Sequence, residues 1–273
     1  VQTCALPIFS EYFNNSIIDI DHWAIKPFSL LASRFEEAIL IDADCFYLQD
    51  PGFLFTDSGY IEKGSILFKD RTEKPRFKTT DWLKSFIKNP LPETKENRIL
   101  KGVSYFEIES STVVINKIKS FLGLLNICKL NEKDIRSKIV YKMVCGDKET
   151  FWLGFEMSRQ NYYVNQEYTA AVGEIIIEKN GKKKFVKKIC GNNGNIGHTW
   201  NGELLFWNGH LMKDHNKNIK IKGIYTSYFI VKDGINRWRE YKDQKQCFTL
   251  SDNQEAISFN INQKKIISKV EYK

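Results

Sequence analysis

Asp42 and Asp44, in the run Ile39-Leu40-Ile41-Asp42-Ala43-Asp44, are the residues best placed to do chemistry. Carboxylates at i and i+2 on an extended segment project to one side. At the carboxyl end of a buried parallel strand they face the crevice where α/β sheets take ligands. Hard oxygen donors suit Mg2+ or Mn2+, which bridges them to a diphosphate and offsets its charge as it leaves. The competing role is local, because aspartates at a strand end also cap loop amides.

Further candidates stand away from this pair. Glu109 precedes the apolar run Thr112-Val113-Val114-Ile115, so its carboxylate either faces the same crevice and accepts from hydroxyls or lies at a polar strand edge. Asp147, in Gly146-Asp147-Lys148-Glu149, is placed to N-cap a helix and, compatibly, to stabilise positive charge on a reacting carbon. Lys26 and Lys213 are candidates to pair with phosphates, set against the many lysines that are plain solvated surface. Of the four histidines, His198 and His210 lie in Gly-rich stretches beside aromatics, whereas His22 and His215 have no such setting. A loop histidine of this kind is either a surface residue or a metal ligand.

The elements that must position these residues follow from periodicity. Residues 26–37 read as a helix with Pro27 in its first turn, and residues 38–41 as a strand buried on both faces of a parallel sheet. Asp50-Pro51 starts a helical turn through Phe53 to Phe55, and a helix is expected over residues 82–87. Residues 112–115 give a second buried strand, followed by helices over 117–129 and from Asp147 through Phe155. Asn180-Gly181, between two apolar stretches, predicts a β-hairpin carrying lysines on its solvent face. Residues 191–197 read as a Gly/Asn-rich loop, and short alternating segments dominate from residue 219. The order is α/β first and mostly β afterwards.

Bulk properties set limits. A chain of 273 residues with 42% hydrophobic and 14% aromatic residues can bury a sizeable core. Its net charge of +8 is spread widely, which favours a solvated lysine-rich surface over a nucleic-acid site. No apolar run is long enough to span a membrane. Cys4, Cys45, Cys128, Cys145, Cys190 and Cys247 form no CxxC pair, which argues against zinc and leaves reduced core thiols or disulfides open. Asn14-Asn15-Ser16 is one glycosylation sequon.

Taken in order, several blocks resemble the fungal α-1,3-mannosyltransferase family. They are Lys26-Pro27-Phe28, residues 38–44, Asp50-Pro51 with Leu54-Phe55, Glu109-Ser110 with residues 113–117, residues 146–151, Gly197-His198-Thr199, and residues 205–213. The resemblance implies Golgi enzymes with a GT-A fold, here an α/β domain with a mixed, mainly parallel sheet flanked by helices, to which the alternating segments after residue 219 add a β-rich C-terminal extension. It also implies a GDP-mannose donor, a glycan or glycoprotein acceptor, retention of anomeric configuration, and Mn2+ (or Mg2+) as cofactor. Carried onto this chain, Asp42 and Asp44 hold the metal, Lys26, Asp42, Asp44, Ser110 and Lys213 bind donor, and Asp147 and Glu109 act on the sugar. Cys45 stands where the family usually has Asn, and Ser111 where it usually has Gly. The third metal ligand falls to His210, to Asn208 at the aligned position, or to His198.

The resemblance further implies a type II membrane protein of the Golgi lumen, with its anchor upstream of this chain. Val1 to Ile8 resembles the in-frame translation of a sequencing adaptor. The expected division is therefore residues 1–8 as foreign, 9–218 as an N-terminally truncated catalytic domain, and 219–273 as its β-rich extension.

Overall fold

In the computed structural model, residues 19–180, 184–192, 196–209, 212–213, 221–222, 225–231, 238–240 and 245–271 are described. The start of the chain, with Val1 to Ile8, Cys4 and the sequon, lies outside them, as does His210. The chain divides into two compact units, one of Val1–Ala43 and Gly52–Gln166, the other of Asp44–Pro51 and Glu167–Lys273.

In the first unit the two apolar runs become neighbouring strands, β1 (Glu37–Ile41) and β4 (Ile108–Asn116). The remaining strands of that sheet are β3 (Ser65–Lys69) and β5 (Tyr163–Asn165), in the order β1-β4-β3-β5. The mainly parallel sheet expected from the sequence is not what forms. β1 runs antiparallel to β4, with Ile39 opposite Val114, and β4 runs antiparallel to β3. Only β3 and β5 pair in parallel among the described strands of this sheet. An apolar run reports burial and carries no information on strand direction. Nor is β1 buried on both faces: it ends the sheet, and Ile41 is 37% exposed. β4 is the buried central strand, and it begins early enough to include Glu109 and Ser110.

Helix α1 (Ile25–Ala32) has Pro27 in its first turn and stops at Ser33, earlier than expected, because Glu37 already pairs with Asn116. Helix α2 (Ser58–Lys63) is capped by Asp57, whose side chain accepts from the Gly59 and Tyr60 amides, and ended by Gly64 at φ 75°. Helix α3 (Phe77–Phe86) begins before the predicted 82–87 segment. Helices α4 (Phe121–Leu130) and α5 (Lys148–Ser158) pack closely through Gly123 and Gly154. Leu67, Val113, Ile115, Ile127, Phe151, Trp152 and Phe155 form the centre of this core.

The second unit is built on a sheet ordered β13-β14-β7-β6-β8-β9-β2 among the described residues. Its strands are β2 (Cys45–Tyr47), β6 (Thr169–Asn180), β7 (Lys184–Asn192), β8 (Ile196–Trp200), β9 (Glu203–Asn208), β13 (Trp238–Glu240) and β14 (Lys245–Thr249). β12 (Ser227–Ile230) pairs with β6 and with β15 (Ile257–Ser258), while β10 (Met212–Lys213) pairs with β11 (Ile221–Lys222). β6 and β7 form the hairpin that Asn180-Gly181 predicts. Strand ends take up both sides of the expected 191–197 loop, and residues 193–195 lie outside the described set. Cys190 and Cys247, opposite each other on β7 and β14, form a disulfide. The chain closes with a helix the sequence reading did not foresee, α6 (Ile261–Glu271). Among the described residues no helix is long and apolar enough to cross a membrane.

Candidate functional site

The first unit gathers Lys26, Asp42, Glu109, Ser110 and Asp147. Lys26 comes from the first turn of α1, and Asp42 follows β1, where its amide donates to Ser111 O at 2.8 Å. Glu109 and Ser110 come from β4, and Asp147 from the residue before α5. The Lys26 ammonium lies 2.7 Å from Asp42 Oδ2 and donates to the Ser110 carbonyl and hydroxyl, both at 3.2 Å. Its side chain is only 14% exposed, and that of Asp42 25%.

Electrostatics show how unevenly this cluster is balanced. Burial alone would lower the Lys26 ammonium, but the charges of Asp147, Asp42 and Glu109 outweigh it and hold the group well above its usual range. Asp42 moves the opposite way to a simple ion pair: burial pushes its carboxyl up to about 6, because Lys26 is shared with Glu109 and Asp147, whose charges also raise it. Asp147, 3% exposed, is raised by burial as well, against the opposing pull of Lys26 and a hydrogen bond with Ser110. Its Oδ2 has no hydrogen-bond partner among the described residues.

Asp147 occupies the N-cap position, yet its side chain does not cap α5. Its backbone is already helical, at φ −80° and ψ −26°, so the side chain engages Ser110 instead. Glu109 is part of the buried strand, not ahead of it, and its carboxylate accepts from the Ser111 amide at 3.0 Å and from the Ser111 hydroxyl. Ser111, where the resembled family usually has Gly, thus ties down a candidate site acid.

Beside these residues runs a buried polar network that the sequence reading missed. Glu149 accepts from the Glu107 amide at 3.0 Å and from the Trp152 indole at 2.7 Å. Glu107 in turn accepts from the Arg98 amide at 2.6 Å and from Arg98 Nε at 3.3 Å. Lys148 reaches Asp70 at 2.6 Å, with its ammonium 3.1 Å from the centre of the Phe106 ring. The available signal was two acids and a lysine, Asp147 to Glu149, ahead of the apolar Phe151 to Phe155 face.

In the second unit, Asp44 lies next to the segment proposed to carry a third ligand. β2 pairs with β9, Cys45 opposite Asn208, and the Gly209 amide donates to Asp44 O at 3.0 Å. His210 follows directly but lies outside the described residues, and Lys213 is described only as a strand position opposite Ile221. His198 is on β8 and not in a loop, 3% exposed, with its ring stacked on Phe206 at 4.5 Å.

Among the described residues no set of three or more His, Cys, Asp or Glu side chains is assembled in metal-holding geometry. The side chains gathered about Lys26 offer hard oxygen donors. Asp42, Glu109 and Asp147 act on one ammonium, and Asp147 presents a buried oxygen without a partner.

A family profile described as "Mannosyltransferase putative" matches residues 4–199. "Putative alpha-1,3-mannosyltransferase MNN12" of Candida albicans is 29% identical over 219 residues, covering 72% of this chain and 26% of that protein. "Putative alpha-1,3-mannosyltransferase MNN13" of the same organism is 30% identical, over 70% of this chain and 28% of its own length. "Alpha-1,3-mannosyltransferase MNT3" of Saccharomyces cerevisiae is 28% identical, over 66% of this chain and 32% of its length. The chain spans about a quarter to a third of the length of these relatives. The matched residues contain Lys26, Asp42, Glu109, Ser110 and Asp147, and the chain belongs to this mannosyltransferase family of glycosyltransferases.

Proposed function

We propose that this chain carries the donor-site part of an α-1,3-mannosyltransferase of GT-A type, moving mannose from GDP-mannose to a glycan acceptor with retention of configuration. The observation that carries the reading is the partly buried cluster of Asp42, Glu109 and Asp147 about Lys26, inside the family-matched residues.

Each residue then has a distinct task. Lys26 and Ser110 bind the donor's diphosphate side, with Lys213 a further cation for it. Glu109, steadied by Ser111, receives hydroxyls of the donor sugar. Asp147 offers negative charge where the anomeric carbon becomes positive, with Lys26 and Ser110 opposing the rise that burial imposes on its carboxyl. Asp42 and Asp44 are the residues to hold Mn2+ or Mg2+. The third protein ligand falls to His210, Asn208 or His198; of these, Asn208 stands opposite Cys45 at the end of β9, and His198 is buried and stacked on Phe206. When bound, the metal supplies charge neutralisation for the departing diphosphate. The Cys190–Cys247 disulfide supports an oxidising compartment such as the Golgi lumen, and type II anchoring of the whole protein belongs to the same proposal.

A transfer assay against GDP-mannose, UDP-glucose, UDP-galactose and UDP-GlcNAc, with and without Mn2+, tests this reading. Expected is Mn2+-dependent transfer from GDP-mannose that Asp42→Ala abolishes at unchanged melting temperature. Transfer from a UDP-sugar instead would replace the donor, donor binding without turnover would mark a glycosyltransferase-like binding protein, and full activity of Asp42→Ala would remove the site.

A further inference from the structure

The Lys26–Asp42 contact has a feature that a donor-binding lysine alone does not require. Its ammonium is 2.7 Å from an oxygen of one of the two aspartates assigned to the metal, and it is braced there by both oxygens of Ser110. The Lys26 side chain is 14% exposed and turned onto Asp42. The position is anchored at its root, because Lys26 precedes Pro27 in the first turn of α1.

We propose that Lys26 is a built-in counter-cation for Asp42: it holds the carboxylate in the donor-free chain, competes there with the divalent cation, and passes to the donor's diphosphate when the cation binds. This deepens the donor-site reading and rests on it. Asp42, Glu109 and Asp147 repel one another in a partly dehydrated space, so the empty cluster needs a cation to be tolerable. Lysine suits the role, since its ammonium is a compact charge on a flexible stem and can move without refolding α1. With a divalent cation bound, Asp42 would no longer hold the ammonium, and Lys26 would turn to the diphosphate oxygens as its next anionic partner.

Exchange of this kind makes metal and diphosphate help each other, because each removes a cost the other would face alone. It also sets a low affinity for the metal by itself, since metal must displace an internal cation. Removing the lysine charge should invert both properties.

The test is Mn2+ binding by the full chain, read from the spin-resonance signal of free Mn2+, with and without GDP. Expected for Lys26→Met is binding of Mn2+ alone tightened about tenfold or more, with the strengthening caused by GDP reduced by a similar factor. Lys26→Arg, which keeps the charge, should stay close to the parent. Equal or weaker Mn2+ binding by Lys26→Met, with Mn2+ still bound by the parent, would overturn the counter-cation role and leave the donor site standing. Absence of Mn2+ binding in both would remove the metal reading as well. A readout on the unaltered chain guards against a misfolded variant: the Lys26 ammonium nitrogen resonance should shift when Mg2+ and GDP are added together. A resonance that stays in place, in a sample shown to bind both, also overturns the proposal.

Discussion

The indole N–H of Trp152 donates to Glu149 Oε2 across 2.7 Å, three residues along the same helix, while Glu149 Oε1 takes the backbone N–H of Glu107 at 3.0 Å. Glu149 is therefore a buried carboxyl group that joins the start of α5 to the segment leading into β4. Asp147 and Glu109 stand on those same two elements.

Glu149 makes stability depend on pH in a defined direction. Burial pushes its carboxyl from 4.5 up to about 8, with Glu107 adding to the rise and Lys148, the Glu107 amide and the Trp152 indole opposing it. Lys148 is paired with Asp70, and Glu107 with Arg98. The folded chain thus holds a proton that the unfolded chain has released, so this contribution is present below about 4.5 and is lost as pH rises through about 8. Calorimetric melting of the parent should show a falling melting temperature across that window. Glu149→Gln should flatten the fall, although its amide nitrogen meets a second donor and lowers stability by about 1–3 kcal/mol at every pH. An unchanged slope would mean that another group titrates.

Asp147→Asn separates function from stability. The substitution removes a buried charge whose Oδ2 has no hydrogen-bond partner among the described residues, so the melting temperature should rise or hold. Transfer should nevertheless fall by roughly 10²–10³-fold in kcat, with donor binding retained, because the lost charge matters most in the transition state. A parent-like kcat would exclude Asp147 from the chemistry.

The close approach of α4 and α5 predicts a third outcome. A Cβ on Gly154 would lie 2.4 Å from Ile127 Cγ1 and 2.7 Å from the Ile127 backbone nitrogen. Gly154→Ala must therefore push the helices apart in a core that also holds Phe151 and Phe155, at a cost of about 1–3 kcal/mol. Chemical denaturation measures it. Trimming the neighbour with Ile127→Ala should not restore stability, since the second obstruction is backbone; restoration would show that only the side chain was in the way.

What could be read from the sequence divides along physical lines. The strands at 38–41 and 112–115, the β6–β7 hairpin and the position of α5 all follow from local apolar pattern and turn residues. Strand direction did not, because Ala38 to Ile41 looks the same in a parallel or an antiparallel pair, and because its partner β4 lies about 75 residues away in the chain. Helix α6 does carry a local signal: Asn260 and Gln263 cap each other reciprocally, each side chain accepting the other's backbone amide at 2.9 Å. The charged cluster was legible one residue at a time. That Lys26 would sit on Asp42, and that Gly209 would reach Asp44, depended on pairings that no local pattern carries.

The cysteines supply the last prediction. Cys190 and Cys247 are 57 residues apart and sit opposite each other on β7 and β14, so their bond closes a long loop of the second unit. Cross-linking a loop of that length restricts the unfolded chain, and replacing both residues by Ser should cost about 2–5 kcal/mol. The free thiols differ in kind: Cys145 is exposed, whereas Cys128 is buried and its thiol is pushed up to about 12 by that burial and by Glu132. Alkylation of the native protein followed by peptide mass spectrometry should therefore mark Cys145 and spare Cys128, because only a thiolate in reach of the reagent reacts. Cys190 and Cys247 should become labelled only after a reductant is added, with a drop in melting temperature in the same sample. Labelling of Cys190 or Cys247 without reductant would show that the bond is absent from the native protein, and would withdraw its support for an oxidising compartment.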